Sequence, residues 1–242
     1  MKRFFDKNEL AFSLIWIGAY VVLLSVADSV SAMLGIEKII TAPLGILMTA
    51  VLLAFVKKNG LNGYCGLTKG SVKARDYLYF LPLVLLASTN FWSGVALKMS
   101  VLETVLYILS MICVGILEES IFRGLLFNAL KKDNVVRAVI ISSLTFGIGH
   151  IVNLLNGAEV LATLLQIVYA TAAGFLFTVI FLCSGSLIPC IVTHCAINSF
   201  SAVAGRSSKV LDMITAAVLT VVATLYALWI LKKHKMLHVN KE

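Results

Sequence analysis

The sequence predicts an all-α, polytopic transmembrane helix bundle of about eight spans. Of its 242 residues 60% are hydrophobic and only 13% charged, with a mean hydropathy of +0.98, far from the balance of soluble domains. A helix needs roughly 20 apolar residues, at about 1.5 Å each, to cross some 30 Å of hydrocarbon, and the chain offers eight runs of about that length. Its basic residues also gather in alternate connections between those runs, as orientation in a bilayer demands.

The first run, Leu10 to Leu34, follows Lys2, Arg3 and Lys7 as the core of a signal peptide would. Its apolar core is too long for that and no cleavage site follows, so it reads as a span. The second run is Ile39 to Val56. Before the third, Tyr77 to Leu97, comes the longest polar stretch, Lys57 to Asp76, rich in glycine and basic residues and read as a cytoplasmic loop. The fourth run, Val101 to Leu130, would be about 45 Å long if wholly helical and must tilt, bend or lie partly along the interface. Ala138 to Leu155, Val160 to Cys183, Leu187 to Ala204 and Leu211 to Leu231 complete the set. No other connection is long enough for a soluble domain, so residues 1–242 read as one transmembrane domain and any activity resides in the bundle.

Taking alternate loops as cytoplasmic places 15 of the 20 Lys and Arg on one side, among them Lys57, Lys58, Lys69, Lys73, Arg75, Lys131, Lys132, Arg137, Lys232, Lys233, Lys235 and Lys241. Only Lys38, Lys98, Arg206 and Lys209 fall on the other, which puts both termini in the cytoplasm. The net charge of +8 is accounted for by this orientation and by anionic headgroups of the lipid bilayer, without nucleic acid as a partner. Cys65, Cys113, Cys183, Cys190 and Cys195 show no CxxC spacing and read as small buried residues. Asp28, near the outer end of the first span, reads as exposed at the interface.

Charge inside hydrocarbon costs about 2.5 to 3.5 kcal/mol per residue on insertion scales, so the groups found there are usually paired and functional. Glu118, Glu119 and Arg123 interrupt the fourth run. On a helix Glu119 and Arg123 stand i, i+4 with the acid first, the favourable order for a pair. Glu118 projects about 100° away and has no partner in its own turn, which leaves it the carboxylate for chemistry. The alternative is a pair of acids at a membrane boundary. Depth does not decide: measured back from Lys131, Glu118 is nearly 20 Å deep, whereas measured from Val101 it approaches the cytoplasmic boundary. Phe146 and His150 share a face in the fifth run, as do His194 and Asn198 in the seventh, at overlapping depths of roughly 13 to 20 Å from the same boundary. Each pair alone is consistent with polar glue between helices. Together, a carboxylate, two imidazoles and an amide hold the parts for activating water and stabilising an oxyanion.

At these residues the chain resembles the CPBP intramembrane proteases, which include the prenyl CAAX endopeptidases and the Abi proteins linked to bacteriocin processing and self-immunity. The family motifs EExxxR, FxxxH and Hxxx(N/D) stand here as EESIFR from Glu118 to Arg123, FGIGH from Phe146 to His150, and HCAIN from His194 to Asn198. The likeness covers residues 101–204, and the short loops resemble the compact bacterial members. It implies an intramembrane endopeptidase acting on a membrane-associated peptide or protein, prenylated or carrying a leader. Glu118 would be the general base, His150 would help hold the water, and His194 with Asn198 would donate to the oxyanion. Glu119 and Arg123 would orient the helix, with Phe146 in support.

No cofactor is expected on this reading. Zinc held by Glu118, His150 and His194 is the second choice, disfavoured because the base role would pass to Glu119, already paired. A cysteine protease using His194 and Cys195 fails because neighbouring helical residues point about 100° apart. Outside catalysis stand a non-catalytic immunity protein that binds a membrane partner, and a proton-coupled transporter, against which the chain shows no inverted repeat or pair of broken spans.

Overall fold

A computed structural model describes residues 1–70 and 81–239, the last six without their side chains. The amphipathic turn α1 (Lys2–Lys7) leads into α2 (Glu9–Met33), with Asn8 between them accepting from the Ala11 amide at 2.8 Å as the N-cap of α2. Then follow α3 (Thr41–Lys58), α4 (Leu81–Ser88), α5 (Val101–Leu130), α6 (Val135–Gly149), α7 (Val160–Ser184), α8 (Ile188–Phe200) and α9 (Lys209–Val239). Six of these stretches are long and apolar enough to cross a membrane. No strand occurs among the described residues beyond an isolated Val95–Ala204 bridge.

All eight apolar runs form helix, with three corrections to their extent. The third run begins at Tyr77, outside the described residues, and its helix ends in a tight turn at Phe91, well before Leu97. The chain there turns through Gly94 at φ +81° and pairs with the segment after α8, Ala96 N–H donating to Val203 O at 2.9 Å. The seventh run is regular helix only to Phe200, followed by one tight turn to Val203, and is too short to span by itself. The fifth breaks at His150 and Ile151 before a short turn, Val152–Leu155. Each break falls beside polar residues, Thr89 and Asn90, His150, and Asn198 with Ser201, set in a run that is apolar on average, so hydropathy averaged over a window does not register it.

The connections sort onto two ends. At one, Glu9 binds both Lys132 (2.6 Å) and Tyr64 (2.7 Å), Asn128 donates to Tyr64 O (2.6 Å), and Leu187 N–H donates to Gly66 O (2.8 Å). At the other, Glu37 N–H donates to Glu103 (3.1 Å), Lys209 pairs with Glu159 (2.7 Å), and Gly205 N–H donates to Gly94 O (2.8 Å). The first end carries the basic connections and the second carries Lys38, Lys98, Arg206 and Lys209, the division the alternating reading requires; Lys73, Arg75 and Lys241 lie outside the described residues, as does the side chain of Lys235.

Helix α5 runs through the middle of the bundle from one end to the other. Every residue from Glu119 to Phe127 is buried, so this half of α5 is surrounded on all sides rather than presenting one stripe. Close packing against α8 is possible because a Cβ on Gly115 would sit 2.7 Å from Cys195 Sγ and 2.9 Å from its backbone nitrogen. Small residues bring helices together in this way where lipid is the alternative neighbour.

Candidate active site

Regular α-helix in α5 ends at Glu118, and from Glu119 to Phe127 the backbone widens into π-helical turns. Such insertions cost regular hydrogen bonding and recur at functional sites. The change falls between the two glutamates and gives them different surroundings. Glu118 retains 9% exposure and faces a cavity, whereas Glu119 is sealed at 0%.

Glu119 is the hub of a buried cluster. Its Oε1 accepts from Arg123 Nη1 at 3.1 Å, the expected i, i+4 pair, and lies 2.9 Å from His194 Nδ1 on α8. The fully buried Arg123 guanidinium lies over the Phe146 ring at 4.1 Å and near Phe177 at 5.9 Å, a desolvated cation–π arrangement. Gly174 on α7 makes room for it, since a Cβ there would stand 3.0 Å from Nη2 and 3.1 Å from Phe146.

Glu118 finds its partners on other helices. Tyr20 on α2 donates to its Oε1 at 2.6 Å, and His194 Nε2 lies 3.3 Å from its Oε2. His194 therefore stands between the two carboxylates, one on each ring nitrogen. A carboxylate that already accepts from Arg123 can only accept again, so Nδ1 carries a proton. In the neutral ring Nε2 is then an acceptor towards Glu118, and in the imidazolium it is a donor. One proton thus has two places to reside, on Glu118 or on His194 Nε2.

His150 closes α6 with its Nδ1 3.1 Å from Phe146 O. A carbonyl only accepts, so this nitrogen too carries a proton and the neutral ring offers Nε2 as an acceptor. Phe146 meets His150 and His194 edge-on, at 5.3 and 5.7 Å between centroids, and so spaces the two imidazoles. Glu118, Phe146, His150, His194 and Asn198 all line one cavity of ≈ 450 Å³. Within it Glu118 lies 3.3 Å from His194, while His150 and Asn198 line the same space. Among the described residues no three His, Cys, Asp or Glu side chains are grouped to hold a metal ion.

Two cavity residues lay beyond the sequence reading. Tyr20 resembles any aromatic in a span, although Tyr20, Leu24 and Asp28 repeat every fourth residue and so share a face of α2. Asp28 is not an exposed boundary residue: it accepts from Lys38 at 2.8 Å and from Thr41 at 2.5 Å, and it lines the same cavity.

Past Glu119, towards the basic end, the interior is filled by Ile121, Leu125, Leu126 and Phe127. The loop that covers this end is tightly seated, burial pushing the Cys65 thiol up to about 12. Burial and the neighbouring Glu9 likewise hold the Tyr64 phenol well above its ordinary value.

Residues 100–200 match the family described as type II CAAX prenyl endopeptidase Rce1-like, a segment that contains all three motifs. No curated protein and no solved structure matches the chain.

Proposed function

We propose that this chain, whose residues 100–200 match the Rce1-like family of CAAX prenyl endopeptidases and whose described helices include six long and apolar enough to cross a membrane, is a membrane protease that hydrolyses a peptide bond of a membrane-associated substrate with a water activated by Glu118. The observation that carries this reading is the position of Glu118: at a cavity wall, held by Tyr20 at 2.6 Å and within 3.3 Å of His194.

Water lies between the Glu118 carboxylate and the Nε2 acceptor of His150. Glu118 removes one proton, the oxygen adds to the substrate carbonyl carbon, and the carbonyl oxygen becomes an oxyanion. Asn198 donates to that oxyanion from the cavity wall. His194 joins it when protonated, because Glu119 stabilises the imidazolium at Nδ1 while Nε2–H turns to the developing charge. A donor of this kind is worth about 3 kcal/mol in other hydrolases. Collapse of the intermediate breaks the C–N bond, and the proton held on Glu118 passes to the departing amine. Arg123 offsets the charge of Glu119 and keeps it from competing as the base.

The test uses purified protein in detergent with a quenched-fluorescent peptide, comparing wild type with Glu118→Gln, each with and without a chelator. The reading predicts cleavage that Glu118→Gln abolishes and chelation leaves unchanged. Cleavage lost to chelation and restored by zinc would replace it with metal-assisted hydrolysis through Glu118, His150 and His194, and full activity in Glu118→Gln would remove Glu118 from the mechanism.

A further inference from the structure

The cavity is polarised along the bundle axis. Its lining on α2 runs from Tyr20 to Asp28, towards the end of that helix remote from the basic loops. On α5 it runs back from Phe122 to Tyr107, on α6 and beyond from Phe146 out to the exposed Asn156, and on α8 from His194 to Ser201. All four helices therefore give the same direction, although α2, α6 and α8 run up the bundle and α5 runs down it. Lys38 and Thr41, in the turn before α3, complete the mouth. None of the residues at the opposite end, in α1, the 59–70 loop, the 131–134 turn or the 184–187 turn, lines it.

That opposite end is closed by apolar packing and by the 59–70 loop, which is fixed by Ser186 Oγ donating to Thr68 O at 2.8 Å and by the bond of Leu187 to Gly66. It is also the basic end. The basic residues described there, among them Lys2, Lys57, Lys58, Lys131, Lys132 and Lys232, outnumber Lys38, Lys98, Arg206 and Lys209 at the mouth end, so it faces the cytoplasm by the rule that retains basic loops on that side. The mouth then faces outward.

The chemistry of the mouth half suits an extended peptide. Asn90, Asn153, Asn156 and Gln166 line it together with Tyr107 and Tyr169, groups that both donate and accept and so match backbone amides. Its one close ion pair, Lys38 with Asp28, is internally neutralised and selects for neither charge.

We infer that the substrate is a peptide segment reaching the site from the extracytoplasmic face of the membrane, unprenylated because prenyl groups are attached in the cytoplasm. The inference rests on the protease reading above for what happens to the peptide, but not for the side from which it arrives.

Two measurements separate those parts. Cysteine placed at the mouth (Asn156→Cys), inside the cavity (Gln166→Cys) and at the basic end (Lys58→Cys) is treated in intact cells with a membrane-impermeant maleimide, with the wild type giving the background of native thiols. The first two are expected to label before lysis and the third only after it; labelling of Lys58→Cys in intact cells, with the other two protected until lysis, would overturn the inference whatever the chemistry. In parallel, a mixture of unprenylated quenched-fluorescent peptides is offered to intact spheroplasts and to protein in detergent. Cleavage dependent on Glu118 in both supports the inference. Cleavage in detergent but not on spheroplasts overturns it and leaves the protease reading standing. If only a farnesylated CAAX peptide is cut in detergent, the substrate class is wrong; if nothing is cut in either, the protease reading falls with it.

Discussion

The two halves of the bundle on either side of Glu118 and Glu119 are built from equally apolar helices and end up as opposites. Towards the basic end, Ile121, Leu125, Leu126 and Phe127 fill the space, and Arg123 pairs with Glu119 and lies over aromatic rings. Towards the other end, the same helices enclose ≈ 450 Å³ lined by amides, phenols and imidazoles. One residue of sequence separates a carboxylate that belongs to the packed half from one that belongs to the hollow half. Side-chain type alone does not assign a role here; what lies on the far side of each carboxylate does.

The largest expected effect falls on the hollow side. Glu118→Gln preserves shape and hydrogen bonding to Tyr20 but removes the base, so kcat is expected to fall by about 10²–10⁴-fold, the range attached to general-base catalysis, with little change in melting temperature. A comparable loss in Glu119→Gln, without loss of stability, would erase the distinction between the two.

On the packed side the expected effect is on stability. Arg123→Leu strands Glu119 as an uncompensated charge with 0% exposure, a change that costs about 3 to 5 kcal/mol when a buried pair is broken. Thermal melts in detergent should show it, and Arg123→Lys should recover part of it. An Arg123→Leu protein that melts with the wild type would mean that Glu119 is neutral or otherwise satisfied.

Smaller again is Tyr20→Phe, which deletes one hydrogen bond to Glu118. Bonds to charged groups are worth about 1.5 to 3 kcal/mol, only part of which differs between ground and transition states, so roughly a tenfold fall in kcat at nearly constant KM is expected. An unchanged kcat would detach Tyr20 from the chemistry. The smallest effect is none at all: Cys65, its thiol pushed up to about 12 by burial in the covered end, should stay unmodified by maleimide at neutral pH because the reactive thiolate is scarce. Rapid labelling of Cys65 in folded protein would show that the packed end opens.

Much of this was legible in the sequence because it is local. Hydropathy located the eight apolar runs, and the i, i+4 spacing identified the Glu119–Arg123 pair. What was not legible depends on partners distant in sequence. Nothing near Glu118 announces Tyr20, 98 residues away, or the placing of His194 between both carboxylates. The π-helical turns from Glu119 to Phe127, in a stretch buried on every face, are not encoded in any single-helix periodicity. The early ends of the third and seventh runs are followed by a pairing between Val95 and Ala204, invisible to a scale that scores only transfer into lipid. Asp28 read as exposed because its partners, Lys38 and Thr41, stand on the far side of a turn.

The proposed mechanism requires Glu118 on α5 and His194 on α8 to act as a unit on one cavity, and a double-mutant cycle measures that coupling. Single-turnover cleavage is compared for Glu118→Gln, His194→Ala and the double variant, each checked by melting. If the two side chains share one proton-transfer step, the double variant is expected to be little slower than the worse of the two single variants. Losses that multiply, as they do for independent sites, would contradict it.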